Sequence, residues 1–426
     1  MKVVDIERIV VDVPFTPRQQ EITKASVHEW SIFELCKVTT ASGHIGWGAT
    51  VIHYTYGRVS DDSVARVMGQ NPAACLNEDS LGAGLQMALF DVVGKILELP
   101  VHQLLGSKVR DWTPISWWSA YASPELWAAE AADAVANGYT SFKNKPRPWH
   151  DIVAQVDAIS KVVPPHFHLD LDPNGSWENA ANAVPLMKRL EQNKNVAMFE
   201  TPIPQYDILG NRQIRQSVDR PIAMHFGVPA FTTVVREEVC DGFVVGGGQS
   251  EVMRQGQLAA EVSMPFWLQI VGNGLTTTWG AHLGSVLTHA RWPSISCINL
   301  YSHHLLTEPI QIVNGHQHVP DSPGLGVEVD QEAVERFRIP QNLLAEFSKQ
   351  GTLYTKPEPK LIHTVIYPDE TCVHAKSVRN AESVNLPGTY VEGIRSEIWE
   401  DDGSQEWEKL YAQISKKPIW TKWRSR

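Results

Sequence analysis

From about Trp112 onward, short apolar runs ending in polar residues alternate with longer stretches of helical periodicity. TPISWWSA is followed by PELWAAEAADAVANG, YTSFKNK by DIVAQVDAISKVV, and HFHLDLD by NAANAVPLMKRLEQN. VAMFETP, PIAMHFG, GFVVGGG with VMRQGQLAAEV, FWLQIVG and ISCINLY continue the pattern. Short apolar runs of this kind are strands, and the longer periodic stretches between them are helices. Roughly eight such units in about 230 residues have the length and order of a (β/α)8 barrel, a parallel sheet closed on itself inside a ring of helices. An open doubly wound sheet fits less well, because no G-x-G-x-x-G follows an early strand.

Ahead of the barrel, VVDIERIVVDV and FELCKVTTASGHIGWGAT read as a strand meander with a Ser-Gly turn. Leu85, Ala88, Leu89, Val92, Val93, Ile96 and Leu97 then mark a helix that Pro100 stops. The expected fold class is therefore α/β, a (β/α)8-type TIM barrel over residues 112–340 with an N-terminal α+β capping domain over 1–111. Residues 341–426 are polar with scattered aromatics (Trp399, Trp407, Tyr411, Trp420, Trp423) and are expected to complete the cap or pack on a neighbouring subunit.

The formal charge of −11 and the want of any basic stripe argue against nucleic acid and for a small-molecule partner. Cys36, Cys75, Cys240, Cys297 and Cys372 are odd in number and scattered, which argues against a disulfide framework or a zinc knot. MKVVDIERIVVDVPF carries charges inside its apolar run, unlike a signal peptide, and no stretch is long enough to span a membrane. The expected location is the reducing cytoplasm.

Chemistry in such barrels sits at the C-terminal strand ends. Those ends carry Lys143 and Lys145, then Asp170 and Asp172, then Glu200, then His225. One residue separates the two lysines, so a strand places both ammonium groups on one face. Like charges so placed repel and do nothing for the fold, and an isolated K-x-K is ordinarily a solvated pair. Beside carboxylates the pair points instead to a reaction centre. A barrel glycosidase would use Asp172 and Glu200 with Trp149 or Trp177 as a sugar platform, but two neighbouring lysines depress carboxyl pKa values and disable a general acid.

Five segments in order resemble the mandelate racemase and muconate-lactonising branch of the enolase superfamily, over about residues 1–335. ALFDVVGKILELPVHQLLGSKVRD (88–111) resembles the A-L-x-D-x-x-G-K…P…L-L-G signature, and GYTSFKNK the K-x-K strand. LDPNGSW resembles the D-x-N strand, MFETPIPQYD the E-x-P strand and VPDSPGLGVEVD (319–330) the P-G-L-G exit. The resemblance implies abstraction of a proton α to a carboxylate, with the ene-diolate held by a divalent metal and a Lys or His as base. It implies Lys145 as base, with Lys143 lowering its pKa and offering charge to the substrate carboxylate. Asp172 and Glu200 would be metal ligands, Mg2+ the ion, and Asn174 a substrate contact. A small carboxylate substrate, an even-numbered homo-oligomer, and selectivity from loops 15–30 and 49–60 complete the expectation, with VIHYTYG (51–57) as one aromatic wall.

The chain also departs from that pattern. A third carboxylate should close RPIA-x-x-E, but the text is RPIAMHFG. Either Phe226 points inward and a ligand is lost, or a bulge turns His225 inward as third ligand and shifts preference toward softer ions. A packed histidine with one hydrogen bond is the plain alternative. No Asp follows Val245, Gln269 stands for the seventh-strand histidine, Asn299 for the eighth-strand glutamate, and Ala49 for a glutamate of many relatives. Glutamine does not relay a proton. The expected activity is a one-base syn dehydration of a hydroxy or sugar acid, a lyase rather than a racemase, with Gln269 and Asn299 as substrate contacts. A non-catalytic member that binds a small acid or is structural is the alternative. Glycines 246–248 read as a tight turn or a cradle for an anion.

Overall fold

The computed structural model describes residues 1–54, 57–377 and 390–423. They form two compact units, each assembled from separated stretches of chain: residues 1–19, 29–118 and 242–356 in one, 20–28, 119–241 and 357–426 in the other. Thr55 and Tyr56 of the expected aromatic wall lie outside the described residues.

In the first unit β1 (Val3–Asp12), β2 (Ile32–Thr40) and β3 (Ile45–Val51) form an antiparallel meander. The Ser-Gly turn holds, with Gly43 at φ 82° in the left-handed region that favours glycine. Glycine recurs in β3 for a different reason. A Cβ at Gly48 would lie 2.0 Å from the Gly84 carbonyl oxygen, and one at Gly46 2.2 Å from that of Ala88. The helix Ala83–Leu97 thus lies directly on β3, and its residues 84–94 are all buried. Cys36, Val38, Leu85, Ala88, Leu89 and Val92 make the core beneath it.

The same helix carries an ionic bolt. The Asp91 carboxylate accepts from the Trp47 N–H of β3 (2.8 Å), the Leu325 N–H of the exit loop (2.7 Å) and Lys95 Nζ (2.8 Å). Burial pushes this carboxyl up, and the charge and hydrogen bond of Lys95 with the two N–H groups offset that only in part. Gly94 lets the backbone of Leu99 and Gly324 come close, since a Cβ there would meet them at 2.7 and 2.8 Å. Asp91, Gly94 and Lys95 of the A-L-x-D-x-x-G-K signature therefore hold the fold rather than perform chemistry.

This unit also contains β4 (Trp112–Trp118), β9 (Gly242–Val245), β10 (Phe266–Leu268) and β11 (Ser294–Ile295). β9 pairs with β10, and β4 with β11, in parallel. The hairpin β12 (Ile312–Val313) and β13 (His316–His318) adds antiparallel to β4.

The second unit contains β5 (Ser141–Asn144), β6 (His168–Leu171), β7 (Val196–Glu200) and β8 (Ile222–His225), paired in parallel in chain order. Helices Pro124–Ala136, Ile152–Ser160, Ala180–Leu190 and Ile208–Ser217 alternate with these strands. Each starts at a side-chain cap, respectively Ser123, Asp151, Asn179 and Asp207, and each cap is worth about 1 kcal/mol. Phe142, Leu169, Leu171, Phe199 and Ile222 are fully buried, as in a parallel sheet covered on both faces. A four-stranded antiparallel sheet in the order β16–β14–β15–β17 follows, from β14 (Leu361–Ile366), β15 (Thr371–Ala375), β16 (Arg395–Glu400) and β17 (Ile419–Lys422). Its Val365, Val373 and Ala375 pack with Trp149, while Ile362 packs with Trp407 and Ile414 of the helix Gln405–Ile414. Among the described residues no helix is long and apolar enough to cross a membrane.

Candidate active site

Strand alternation sets the site. On β5, Phe142 and Asn144 take one face and Lys143 the other, and Lys145 follows at the strand end. Lys143 is wholly buried; its Nζ pairs with Glu200 Oε2 and lies 3.4 Å from Asp172 Oδ2. Lys145 Nζ donates to the same Asp172 Oδ2 and to Asn174 Oδ1 at 3.2 Å. The Asn174 N–H donates to Asp172 Oδ1 at 3.0 Å. Asn174 takes φ 51°, a conformation asparagine accepts more readily than most residues.

At the end of β8, His225 Nε2 lies 3.2 Å from Glu200 Oε1. The next ring, Phe226, stacks on Phe231 at 5.3 Å. Gln205 orders this turn, accepting from the His225 N–H at 2.9 Å. Six expected residues (Lys143, Lys145, Asp172, Asn174, Glu200, His225) are thus gathered in one unit.

The ammonium and carboxylate groups tune one another. Burial alone would lower Lys143, but Glu200, Asp172 and Asp170 outweigh it and hold its proton far more tightly than usual. Lys145 moves the other way: burial lowers it and the Lys143 charge adds to that, against the pull of Asp172. Burial would raise Asp172, yet Lys145 and Lys143 hold it well below the usual carboxylate range. Asp170, two residues earlier on the same strand face, is pushed well up by burial and then by the Glu200 charge. Two lysines one residue apart therefore differ in how readily each gives up a proton.

Arg147 and Gln205 went unnoticed in the sequence. Arg147 Nη2 donates to Asn174 Oδ1 at 2.7 Å and Nη1 to the Asp172 carbonyl at 3.3 Å, and its guanidinium stacks 5.8 Å from the Tyr121 ring. The run K-P-R after the strand was the available signal.

Gln269 and Asn299 belong to the other unit. Gln269 Nε2 donates to the Tyr54 hydroxyl at 2.8 Å. The Asn299 amide serves the end of β4, accepting from the Trp118 N–H at 3.1 Å and donating to the Trp118 carbonyl at 2.8 Å. Trp149 and Trp177 are core residues, 1% exposed each, and offer no sugar platform. Glycines 246–248 lead into the helix Gln249–Glu261, whose first amides are already served by a carboxylate: Ser250 N–H and Glu251 N–H donate to Asp79 at 2.9 Å. Asp79 holds the place expected for a substrate anion.

Residues 127–333 match the family model described as "Enolase C-terminal domain-like". The N-succinyl-L-Arg/Lys racemase of Bacillus cereus is 24% identical over 344 residues, 73% of this chain and 91% of that protein. A probable glucarate dehydratase of Streptomyces coelicolor is 30% identical over 59% of this chain and 64% of its own length. The crystal structure of the Bacillus cereus racemase superimposes with a TM-score of 0.65 at 21% identity, covering 80% of this chain and 98% of that one. Muconate cycloisomerase from Pseudomonas fluorescens gives 0.64 at 23% identity, covering 80% and 99%. These likenesses bear out the expected barrel with its separate strand-rich N-terminal domain.

The family implies Mg2+, and the residues present do not suit it. Mg2+ wants a near-octahedral set of oxygens. Here two carboxylates face three side-chain nitrogens and the Asn174 N–H, the Phe226 ring stacks on Phe231, and His225 leans on Glu200. Among the described residues no three His, Cys, Asp or Glu side chains converge as a metal-holding group.

Proposed function

From the chain's membership of the mandelate racemase and muconate-lactonising branch of the enolase superfamily, we propose that it removes the proton α to the carboxylate of a small hydroxy or sugar acid and expels the β-hydroxyl. The Lys145 amine takes the α-proton, and the C–H electron pair moves into the carboxylate as an ene-diolate. That pair then forms the C=C bond as the C–O bond to the β-hydroxyl breaks. The leaving hydroxide takes a proton from Lys145, now an ammonium, or from His225, and departs as water.

One arrangement carries this reading: the buried Lys143 ammonium is paired with Glu200, and Lys145, one residue on, shares Asp172 with it, so that burial and the Lys143 charge both lower its hold on a proton. A base at neutral pH needs that depression, and burial beside a fixed ammonium supplies it. A second base is not at hand in Gln269, so elimination is favoured over racemisation. Named dehydratases among the relatives, for glucarate, gluconate and arabinonate, are consistent with this class.

The test is 1H NMR of a panel of aldonic and aldaric acids in D2O. Wild type is expected to exchange the α-proton or form a 2-keto-3-deoxy product, and Lys145→Ala to lose about 100- to 10,000-fold of that rate. A Lys145→Ala variant as fast as wild type refutes the assignment. Failure of every acid with the wild type favours the non-catalytic alternative.

A further inference from the structure

We propose that Lys143 fills the place a divalent ion takes in related proteins, so that this chain runs its reaction without a metal. The inference rests on the reading that Lys145 abstracts the proton. Its argument is a count of oxygens. Asp172 Oδ1 accepts the Asn174 N–H at 3.0 Å, and Asp172 Oδ2 takes Lys145 Nζ with Lys143 Nζ 3.4 Å away. Glu200 Oε2 pairs with Lys143 Nζ, and Glu200 Oε1 lies 3.2 Å from His225 Nε2. All four carboxylate oxygens therefore face a nitrogen, and a metal ion could bind only by displacing one.

Lys143 is the hardest nitrogen to displace. Its side chain is 0% exposed, as are those of Asp172 and Glu200. Turning the ammonium out would require a charged group to cross a packed barrel interior, and leaving it in place beside a dication would bury like charges together. The end of β8 supplies no carboxylate to offset a dication, since Phe226 stands there with its ring on Phe231, and burial and the Glu200 charge push the neighbouring Asp170 carboxyl well up. In this reading Lys143 is a positioning residue that holds Asp172 and Glu200 in place, while Lys145 and Arg147 reach Asn174 at the strand end.

The experiment titrates Mn2+ into EDTA-treated protein, reading free Mn2+ by its EPR signal, and measures α-proton exchange in the same samples. Wild type is expected to bind no Mn2+ at millimolar concentration, with exchange unchanged by EDTA. Lys143→Met, which keeps the stem and removes the charge, is expected to gain one Mn2+ site that Asp172→Asn abolishes. One equivalent of Mn2+ bound tightly by the wild type and lost on Asp172→Asn overturns the proposal. So does exchange that needs added Mn2+, although Lys145 would then still stand as base. Should Lys143→Met fold but bind no Mn2+, Lys143 is not what excludes the ion and the proposal falls. If Lys143→Met does not fold, the wild-type titration alone decides. No exchange under any condition, with no Mn2+ bound by the wild type and one site gained in Lys143→Met, removes the proposed reaction and leaves the assignment of Lys143 supported.

Discussion

Replacing Asp91 by Asn changes one atom and should still cost much of the first unit's stability. Both carboxylate oxygens are in use, Oδ2 by the Trp47 N–H and Lys95 and Oδ1 by the Leu325 N–H. A carboxamide has one acceptor, so either rotamer turns an NH2 group onto at least one buried donor. A buried N–H left without an acceptor costs about 1–3 kcal/mol, and the lost charge-assisted bond to Lys95 about 1.5–3 kcal/mol. Part of this is recovered, since burial already makes the ionised carboxyl expensive. The net expectation is roughly 2–4 kcal/mol. With a urea slope of about 3 kcal/mol per molar, the unfolding midpoint falls by about 1 M. The assay is urea unfolding at neutral pH followed by near-ultraviolet circular dichroism, with amide exchange in the helix Ala83–Leu97 as the local readout. A variant whose midpoint stays within about 0.2 M of wild type, with unchanged exchange in that helix, refutes the bolt.

Two further predictions follow from burial. His150 and His363 are buried imidazoles whose pKa values burial lowers from 6.5 to about 3 and about 4. The unfolded chain therefore takes up these protons first. Their stability contribution is complete above about pH 6.5 and is lost as pH falls from there toward about 4, by up to about 1.4 kcal/mol per pH unit for each histidine. The melting temperature should drop over that window and less so in His363→Gln, and equal slopes for the two proteins would contradict the assignment. Gly48→Ala drives a Cβ onto the Gly84 carbonyl at 2.0 Å, for a loss of about 1–3 kcal/mol and a melting temperature several degrees lower. Gly280→Ala, in the helix Gly274–Val286 with nothing within 4 Å of the added carbon, should be neutral or gain up to about 1 kcal/mol. A Gly48→Ala protein that melts with wild type removes the claim of close packing.

Much of the architecture was legible because each barrel strand is a short apolar run and the four helices among β5 to β8 begin at a Ser, Asp or Asn cap, features local to a few residues. The lysine pair was legible for the same reason, since alternation fixes which face each residue takes. Contacts made over long sequence separations were not. Nothing near Asn299 announces that its amide serves Trp118, and nothing near Gly248 announces Asp79. The choice between His225 and Phe226 hinged on one residue of strand length, settled by β8 running through His225 and by Phe231 offering a ring to stack on. The tail read as polar with stray aromatics because its strands are short. LIHTVI nonetheless forms a fully buried central strand, with His363 inside it.

The division of the chain has a consequence for synthesis. A ribosome delivers residues in order, yet the first unit needs residues up to 356 and the second draws on the stretch from 357 onward. The small core under the helix Ala83–Leu97 can close early, but neither unit as a whole is complete until those later residues have been made. A release-arrested ribosome series should therefore show protease resistance arriving late and nearly together for both units, instead of stepwise as for domains strung like beads.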